Sequence, residues 1–312
     1  MSRVRTQDIV VDPAKSAVII VVSVHAGSEG PVRSLLADVP ALIRSVGFRA
    51  KEDQLSATVG VGSDVWDRLI GGPRPASLHP FQRLDGAVHH APATPGDLVL
   101  HIRAQRFDLC FELARVIMDR LDGHVDVVDE THAFKYFDER DLLGFVDGTE
   151  NPDGDEAVEA VLVGDEDPGF RGGSYLIVQK YLHDLGAWHA QPVEEQEKVI
   201  GRTKLDDIEL PDDIKPSNSH VAANSITDED GNDLAILREN MIFGEVGAKE
   251  FGTYFLGYAG DPAVTEKMLH NMFIGDPPGN YDRILDFSTP VTGTLFFIPT
   301  VYQLEGLDRP SD

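Results

Sequence analysis

The sequence predicts an α+β fold in which two similar halves each carry an antiparallel sheet flanked by helices. A strand pattern at 97–104 followed by a helical pattern at 107–121 recurs as a strand at 250–259 followed by a helix at 262–272. Each half therefore has approximately the β-α-β…β-α-β order of a ferredoxin-like unit. No GxGxxG follows the first strand, and neither GxxxxGKS nor GxxxxGKT occurs in the chain, so nucleotide binding through such loops is unsupported. These patterns favour two antiparallel halves over a doubly wound parallel sheet.

The first half, assigned to residues 1–140, begins with a buried strand. Residues 16–25 (SAVIIVVSVH) form a nearly continuous β-branched run, and residues 31–48 then place apolar side chains at helical spacing. Pro31 suits the first turn of that helix. The other elements predicted here are a strand at 55–61, a short helix from 63 to 70, the strand and helix within 97–121, and extended structure at 125–138.

The second half, assigned to residues 141–312, repeats this order. The predicted elements are a strand at 173–182, a mostly helical stretch at 185–203, strands at 220–227 and 234–243, a strand at 250–259, a helix at 262–272 and a last strand at 294–301. An acidic turn, DEDGND at 228–233, joins the two middle strands. Gly231 comes too early after Asp228 for the spacing of an EF-hand, so we interpret this segment as a hairpin turn.

Length and composition exclude several classes of protein. The chain has 312 residues, of which 42% are hydrophobic, and a chain of this size buries roughly three quarters of its unfolded surface. A run of eighteen apolar residues is missing from the sequence, which excludes a membrane span. The N-terminal MSRVRTQDIVVDP lacks the apolar core of a signal peptide, so we expect a cytoplasmic protein. The single cysteine, Cys110, lies in an apolar helical pattern that indicates a buried, inert thiol.

The formal net charge of −26, from 53 acidic and 27 basic residues, is the strongest bias in the composition. The phosphates of nucleic acid would be repelled, so nucleic-acid binding is excluded. Cationic substrates, a divalent metal or solubility alone would suit this charge, and solubility is the simplest explanation.

One segment, GFVDGTENP at 144–152, has the pattern of a sharp loop with a single acid at its centre. Gly144 and Gly148 flank Asp147 closely, so the backbone can bend and approach another group without a Cβ in the way. The Asn-Pro step that follows favours an extended or turn conformation. This geometry suits a carboxyl group pointed into a pocket, and a surface Asx turn is the alternative interpretation.

Three further motifs are Ser219-His220, ILRENMIFG at 236–244 and YDRILDFSTPVTGTLFFIP at 281–299. Together with the 144–152 loop they resemble the dye-decolorizing peroxidases, specifically the short bacterial B-type. The resemblance covers essentially the whole chain. It implies two ferredoxin-like halves of the dimeric α+β barrel type around one haem b. The haem is then expected in the C-terminal half, with the 144–152 loop over its distal face.

The resemblance also assigns roles to individual residues. His220 would be the axial ligand of the haem iron. Asp147 would be the distal acid/base that takes and returns protons, and Arg238 would stabilise the charge that develops during O–O cleavage. Asn240, two residues further along a strand, would project to the same side as Arg238 and help to order peroxide or water.

On the proximal side, a carboxylate partner would raise the basicity of the His220 imidazole. Asp282 is the first choice and Asp286 the second, and a salt bridge with Arg283 or another basic residue is the structural alternative for both. Without the family motif the choice of histidine itself stays open. The sequence has 11 histidines, and those that compete include His89, His90, His183 and His270.

Further haem contacts follow from the same motifs. Gly148, Thr149 and Glu150 should contact the haem edge through backbone or side chain. The candidate apolar walls are Phe255, Leu256, Met268 and Phe273. Ordinary core packing explains each of these four equally well.

The resemblance implies a haem peroxidase that reduces hydrogen peroxide and oxidises dyes and phenolic donors in one-electron steps through a ferryl porphyrin radical. Bulky dyes would not enter a small distal pocket, so we expect a surface aromatic residue to relay the electron. The candidates are Trp66, Trp188, Tyr136 and Tyr258. Manganese oxidation would suit the acidic surface, but no sequence feature marks such a site. Because the family forms dimers or larger rings, a homo-oligomer is expected.

Two rival interpretations belong to other functional classes. One is a haem-handling or haem-carrier protein with incidental peroxidase activity, and the other is a haem-free acidic scaffold that binds cations. Some family members are packed inside protein nanocompartments by a long linker and an apolar terminal peptide. The chain ends at QLEGLDRPSD, so the sequence does not support such a cargo role.

Overall fold

A computed structural model describes residues 5–228 and 230–307 of the chain. Its helices are α1 (Glu29–Gly47), α2 (Ser63–Leu69), α3 (Phe107–Leu121), α4 (Gly154–Val161), α5 (Leu185–His189), α6 (Val193–Ile200), α7 (His220–Asn224), α8 (Pro262–Phe273) and α9 (Val301–Gly306). Short 3-10 helices lie at Lys51–Asp53, Phe137–Glu139 and Arg283–Asp286. The end of the chain, on which the expectation about a cargo peptide rests, lies outside the described residues.

The strands are mostly short. They are β1 (Ser16–Val24), β2 (Ser56–Gly62), β3 (Leu84–Asp85), β4 (His90–Ala91), β5 (Leu98–Ala104), β6 (Val125–Phe134), β7 (Ser174–His183), β8 (Ile226–Thr227), β9 (Asp233–Leu234), β10 (Leu237–Arg238), β11 (Met241–Glu245), β12 (Glu250–Ala259), β13 (Ser288–Pro290) and β14 (Thr294–Ile298).

The main sheet closes into an antiparallel barrel. Its strand order β12-β11-β6-β1-β5-β2-β14-β7 returns to β12 through the pairing of β12 with β7. Strand β10 lies in line with β11, and the two pair with opposite ends of β12. Strand β13 lies in line with β14 in the same way, and these two pair with opposite ends of β7. Closure of the sheet removes its exposed edges.

Each half contributes four strands to the barrel in the same order. Numbered within its own half, that order is fourth, first, third, second: β6-β1-β5-β2 in one half and β14-β7-β12-β11 in the other. The helix α3 precedes the last strand of the first half, and α8 does so in the second half. The expected pair of ferredoxin-like halves is therefore confirmed, and the barrel joins them through β2–β14 and β6–β11.

Successive side chains of the strands face alternately into the barrel and out towards the helices. The interior is filled from both halves, by side chains that include Ile19, Val21, Leu176, Val178, Tyr254 and Leu256. Val18 and Ile20 face the other way, into a larger core under α1 and α3. Cys110 lies in that core, fully buried, and burial raises the pKa of its thiol to about 12. The expectation of a buried thiol is thus confirmed.

Two strand predictions in the second half are wrong. The predicted strand at 220–227 begins instead with helix α7, because the Ser219 side chain accepts a hydrogen bond from the Ala222 N–H at 3.4 Å and caps the helix. The predicted strand at 234–243 is divided into β9, β10 and β11, with a break at residues 239–240. The acidic turn does form a hairpin, since β8 pairs with β9 on either side of it.

In the part of the chain that the structure describes, every helix is too short or too polar to cross a lipid bilayer.

Candidate active site

The 144–152 loop is anchored by a small core next to α5 and α6. Phe145 is 4% exposed, and its ring lies 6.2 Å from that of Trp188, centroid to centroid. Gly148 adopts a φ of 87°, in the left-handed region that glycine tolerates, so the chain turns immediately after Asp147. The anchored loop directs the Asp147 side chain towards a cavity of the C-terminal half. This position agrees with the pocket interpretation of the motif rather than with a surface turn.

The break in the sheet between β10 and β11 carries Arg238 and Asn240. Asn240 Nδ2 donates to Asp147 Oδ1 at 3.4 Å and so connects the break to the acidic loop. Arg238 is half-buried, and partial desolvation lowers the pKa of its guanidinium. Its Nη2 contacts Met268 Sδ at 3.5 Å, which is a weak acceptor. Since a guanidinium stays charged in proteins, this group is suited to binding an anion in the cavity.

Two half-buried carboxyl groups, those of Asp141 and Asp147, influence each other at the loop. Burial raises the pKa of Asp147, and a hydrogen bond from Asn240 partly offsets that rise. Burial also raises the pKa of Asp141 to about 7, and the charge of Asp147 contributes to the same shift. Asp141 is not predicted from the sequence, because an acid ahead of a glycine-rich loop has the pattern of an exposed residue. Its one signal is the apolar run Leu-Leu-Gly-Phe that follows it.

His220 opens α7 with its ring towards the cavity. His220 Nδ1 lies 2.7 Å from Asp282 Oδ2, and Asp282 is 0% exposed. The other carboxylate oxygen of Asp282 accepts the Ile284 N–H at 2.9 Å, which fixes its orientation. Burial alone would lower the pKa of His220, but the charge and hydrogen bond of Asp282 outweigh it, so the pKa is raised. The arrangement leaves Nε2 available for a metal, as in metal-binding histidines that donate their other N–H to a carboxylate.

Asp286, the second choice for this partner, lies elsewhere. Its Oδ1 accepts a hydrogen bond from Tyr281 OH at 3.0 Å and lies 3.1 Å from His89 Nε2. Arg283, the expected alternative partner, lies 3.8 Å from Glu195. The structure thus places Asp282 and not Asp286 against the candidate iron ligand.

Two adjoining cavities meet at these residues. One has a volume of about 100 Å³ and lies between the outer face of the sheet and α8, and the other has a volume of about 380 Å³ and lies beside the 144–152 loop and α7. Residues common to both walls are His220, Asn224, Arg238, Asn240 and Met268. Ligand and cofactor pockets typically measure about 300–1,000 Å³, and the larger of the two cavities lies within this range.

The residues around this space fit an iron porphyrin. His220 offers a nitrogen to the iron, Arg238 offers a half-buried positive charge to an anionic group, and the walls of the smaller cavity are largely apolar. Asn240 Oδ1 is buried and, among residues 5–228 and 230–307, has no hydrogen-bond partner. A buried acceptor of this kind requires a partner, and a bound ligand or water at the cofactor would provide one.

The predicted haem contacts divide into two groups. Gly148, Thr149 and Glu150 line the larger cavity, and Phe255 and Met268 line the smaller one. Glu150 Oε1 also accepts a hydrogen bond from Arg202 Nη1 at 2.6 Å.

Leu256 and Phe273 need correction. Leu256 follows Phe255 on β12, and because successive side chains alternate, it points into the barrel interior instead of the cavity. Phe273 packs in the large core of the first half's helices at 1% exposure. Both are ordinary core residues, as the alternative interpretation allowed.

A second histidine lines the smaller cavity. His183 Nδ1 lies 2.8 Å from Ser288 Oγ and Nε2 lies 2.9 Å from Thr253 Oγ1. Burial lowers the pKa of His183 to about 4, so the ring is neutral at physiological pH. With both nitrogens held by hydroxyl groups, His183 is a satisfied pocket-wall residue and a poor competitor to His220 as a ligand.

A cofactor-sized cavity with a carboxylate-paired histidine and a buried acid and arginine, set in a barrel of two ferredoxin-like halves, defines a haem enzyme that handles peroxide. The chain belongs to the Dyp-type peroxidase family. The N-terminal family model matches residues 6–135 and the C-terminal model matches residues 138–303.

Individual relatives agree with this assignment. A dye-decolorizing peroxidase of Rhodococcus erythropolis is 60% identical over 298 residues, which cover 96% of this chain and 86% of the relative. A DypB variant of Rhodococcus jostii RHA1, solved in complex with haem, superimposes with a TM-score of 0.94 at 55% identity, covering 96% of this chain and 97% of the other. The encapsulated DyP-type peroxidase of Mycobacterium smegmatis gives a TM-score of 0.95 at 59% identity, covering 99% of both chains.

The chain is therefore an enzyme, a haem-dependent peroxidase of the dye-decolorizing type. Its cofactor is haem, and its fold is the α+β fold of these relatives.

Proposed function

We propose that Asp147 and Arg238 carry out peroxide chemistry on one side of a haem b bound through His220, and that the enzyme then oxidises small phenolic donors and dyes. The observation that supports this most is that His220 and Arg238 border the same cavities, with Asp147 on the wall of the larger one. Bound haem would supply the iron that takes up peroxide and would hold the oxidising equivalents of the peroxide until the donors are oxidised.

Asp147 would move the protons. A buried carboxyl group whose pKa is raised can be ionised to accept a proton from the peroxide oxygen nearest the metal and can then return that proton to the leaving oxygen. Its hydrogen bond with Asn240 holds Oδ1 in a fixed direction. Arg238 would stabilise the negative charge that builds up as the O–O bond breaks, since its guanidinium already lies desolvated in the cavity.

The His220–Asp282 pair would tune the proximal side. If Nδ1 carries the proton that Asp282 accepts, Nε2 is the nitrogen with a free lone pair. The carboxylate makes the imidazole a stronger donor to a metal, because hydrogen bonding to an anion increases the electron density of the ring.

Electron transfer from bulky dyes would need an aromatic residue that reaches the surface. Three of the four expected relay residues, Trp66, Trp188 and Tyr258, are at most 1% exposed, so they do not form a surface relay. Tyr136 is half-buried. Tyr281 is also half-buried; its OH donates to Asp286, and it directly precedes Asp282, the partner of His220. We therefore propose these two tyrosines as the candidate entry points for an electron.

Replacing Tyr136 or Tyr281 by Phe tests the relay. One of the two variants should lower the turnover of a bulky dye relative to a small phenol, with Tyr302→Phe, an exposed tyrosine on α9, as the matched control. Unchanged turnover of the dye in both variants would exclude them.

The carrier hypothesis makes a different prediction for Asp147→Asn. We expect this variant to keep haem, seen as an unchanged Soret band, and to react with peroxide roughly 10²–10⁴-fold more slowly in stopped flow, since acid–base groups contribute that much. Asn232→Asp, in the exposed acidic turn, is the control. A wild-type rate of reaction with peroxide in Asp147→Asn would favour a carrier with incidental activity.

Several coarser features complete the proposal. The 1–140 and 141–312 division, a cytoplasmic location and a homo-oligomer remain proposals. An exposed aromatic group on α3 and β6 supports a contact between copies: Phe107, Phe111 and Phe134 are 39%, 49% and 43% exposed. The net charge of −26 is unsuited to nucleic-acid partners.

A further inference from the structure

The Asn151 side chain binds the backbone of Arg238 at two points. Asn151 Oδ1 accepts the Arg238 N–H at 2.9 Å, and Asn151 Nδ2 donates to the Arg238 carbonyl oxygen at 2.7 Å. The two residues are 87 positions apart in the chain. A side-chain amide thus joins the acidic loop directly to the residue that supplies the guanidinium.

The sheet explains why these two backbone groups are free. In an antiparallel pair, the N–H and C=O of alternate residues point towards and away from the neighbouring strand. The Glu239 N–H donates to Leu256 O on β12 at 2.9 Å, so the backbone groups of Arg238 face away from β12. The amide of Asn151 presents one donor and one acceptor, as a peptide group of a further strand would. Asn151 therefore completes the sheet at the one position where the candidate catalytic arginine lies.

The acidic loop is fixed by the same residue. The Asn151 N–H donates to Gly148 O at 3.3 Å, which closes the turn after Asp147. We propose that Asn151 is a positioning residue that sets the separation between Asp147 and Arg238. This inference rests on the roles proposed for those two residues. At neutral pH only an amide side chain supplies both bonds, since an ionised carboxylate has no donor and a hydroxyl group is too short to make two parallel contacts.

Asn151→Asp tests the inference through pH. At neutral pH the introduced carboxylate keeps the bond from the Arg238 N–H but sets an anion against the Arg238 carbonyl oxygen. When protonated, it regains a donor and mimics the amide. At pH 8 we expect the haem-loaded variant to react with peroxide at least tenfold more slowly than wild type at the same pH. It should recover towards the wild-type rate as the pH falls to 5. Asn151→Ala should be slow at both values.

A second measurement needs neither haem nor activity. In the haem-free protein, we expect the Arg238 amide to exchange its hydrogen at least tenfold faster in Asn151→Ala than in wild type, while the Glu239 amide, bonded to β12, changes little. Unchanged exchange at Arg238, or an Asn151→Asp variant that is slow at pH 8 and stays equally slow at pH 5, would overturn the positioning role. Faster exchange at Arg238 together with wild-type reaction rates in both variants would instead contradict the roles proposed for Asp147 and Arg238.

Discussion

The two halves of the barrel share one topology but cover their sheets differently. In the N-terminal half, the 19-residue helix α1 follows the first strand and packs with α3 over a closed apolar core. In the C-terminal half, the first strand is followed by the short helices α5 and α6, which belong to a separate small core that includes Trp188 and Phe287. The space beside α8 is left as the cavity. A cofactor pocket arises here because, in the part of the chain that the structure describes, the helices between β7 and β11 are all much shorter than α1.

The second barrel strand of each half also differs: it is continuous in the N-terminal half and interrupted in the C-terminal half. Strand β2 runs without interruption from Ser56 to Gly62. Its equivalent in the C-terminal half is broken into β10 and β11 at residues 239–240. The break leaves backbone groups and polar side chains available at the cavity, and Asn151 and Asp147 bind them. Continuous pairing stabilises one half, and interrupted pairing creates the site in the other.

The largest test of this comparison is a matched pair of core truncations. Leu113 on α3 and Leu269 on α8 are both almost fully buried, but of the two only Leu269 borders the cavity. In haem-free protein, we expect Leu113→Ala to lower the free energy of unfolding by about 2–5 kcal/mol. Leu269→Ala should cost at least about 1 kcal/mol less, because its neighbours on the cavity side are already missing. Urea denaturation measures both values, and equal losses would argue against an open pocket in the second half.

A smaller effect on stability should come from the partly buried carboxyl group of Asp141. Among the residues that the structure describes, the apolar core under α1 and α3 has no equivalent of this group. Because burial raises the pKa of Asp141 to about 7 in the folded protein, while an unfolded aspartate titrates near 3.9, the folded state binds more protons between these values. Stability is then lost as the pH rises from about 4 to about 7. A shift of about three units corresponds to at most about 4 kcal/mol.

Asp141→Asn keeps the oxygen that accepts the Phe145 N–H but cannot ionise. We therefore expect the haem-free variant to lose less stability than wild type between pH 4 and pH 8, as measured by urea denaturation at each pH. Parallel stability curves for the two proteins would show that Asp141 titrates normally.

The smallest expected effect concerns the break in the second strand. Asn240 lowers the pKa of Asp147 through its hydrogen bond, while burial raises it. Asn240→Ala should raise that pKa further, so the acid limb of the peroxide reaction should move to higher pH by roughly 0.4–1 unit, the equivalent of one hydrogen bond. Stopped-flow rates between pH 4 and pH 8 measure this limb, with Asn232→Asp as a control. A shift to lower pH would contradict the assignment of the limb to Asp147.

The two repeated halves could be predicted from the sequence, because both halves show the apolar periodicity and the βαβ order. It also placed Asp147, Arg238 and His220 through the family motifs. It failed at α7, where the Ser219 cap outweighed a strand-like pattern, and at Leu256, where strand alternation decides which face a residue occupies. Asp141 and Asn151 were missed because their significance lies in contacts with distant backbone and charges. One-dimensional patterns do not record such contacts.

The central claim is that His220 binds the iron of a haem that shares its cavity with Asp147 and Arg238. The most direct measurement is the optical spectrum of the haem-loaded protein before and after one equivalent of hydrogen peroxide, for wild type and for His220→Ala. We expect wild type to show a protein-bound Soret band that changes within the mixing time of stopped flow, and His220→Ala to lose that band or its rapid change. A His220→Ala spectrum and response identical to those of wild type would contradict the account.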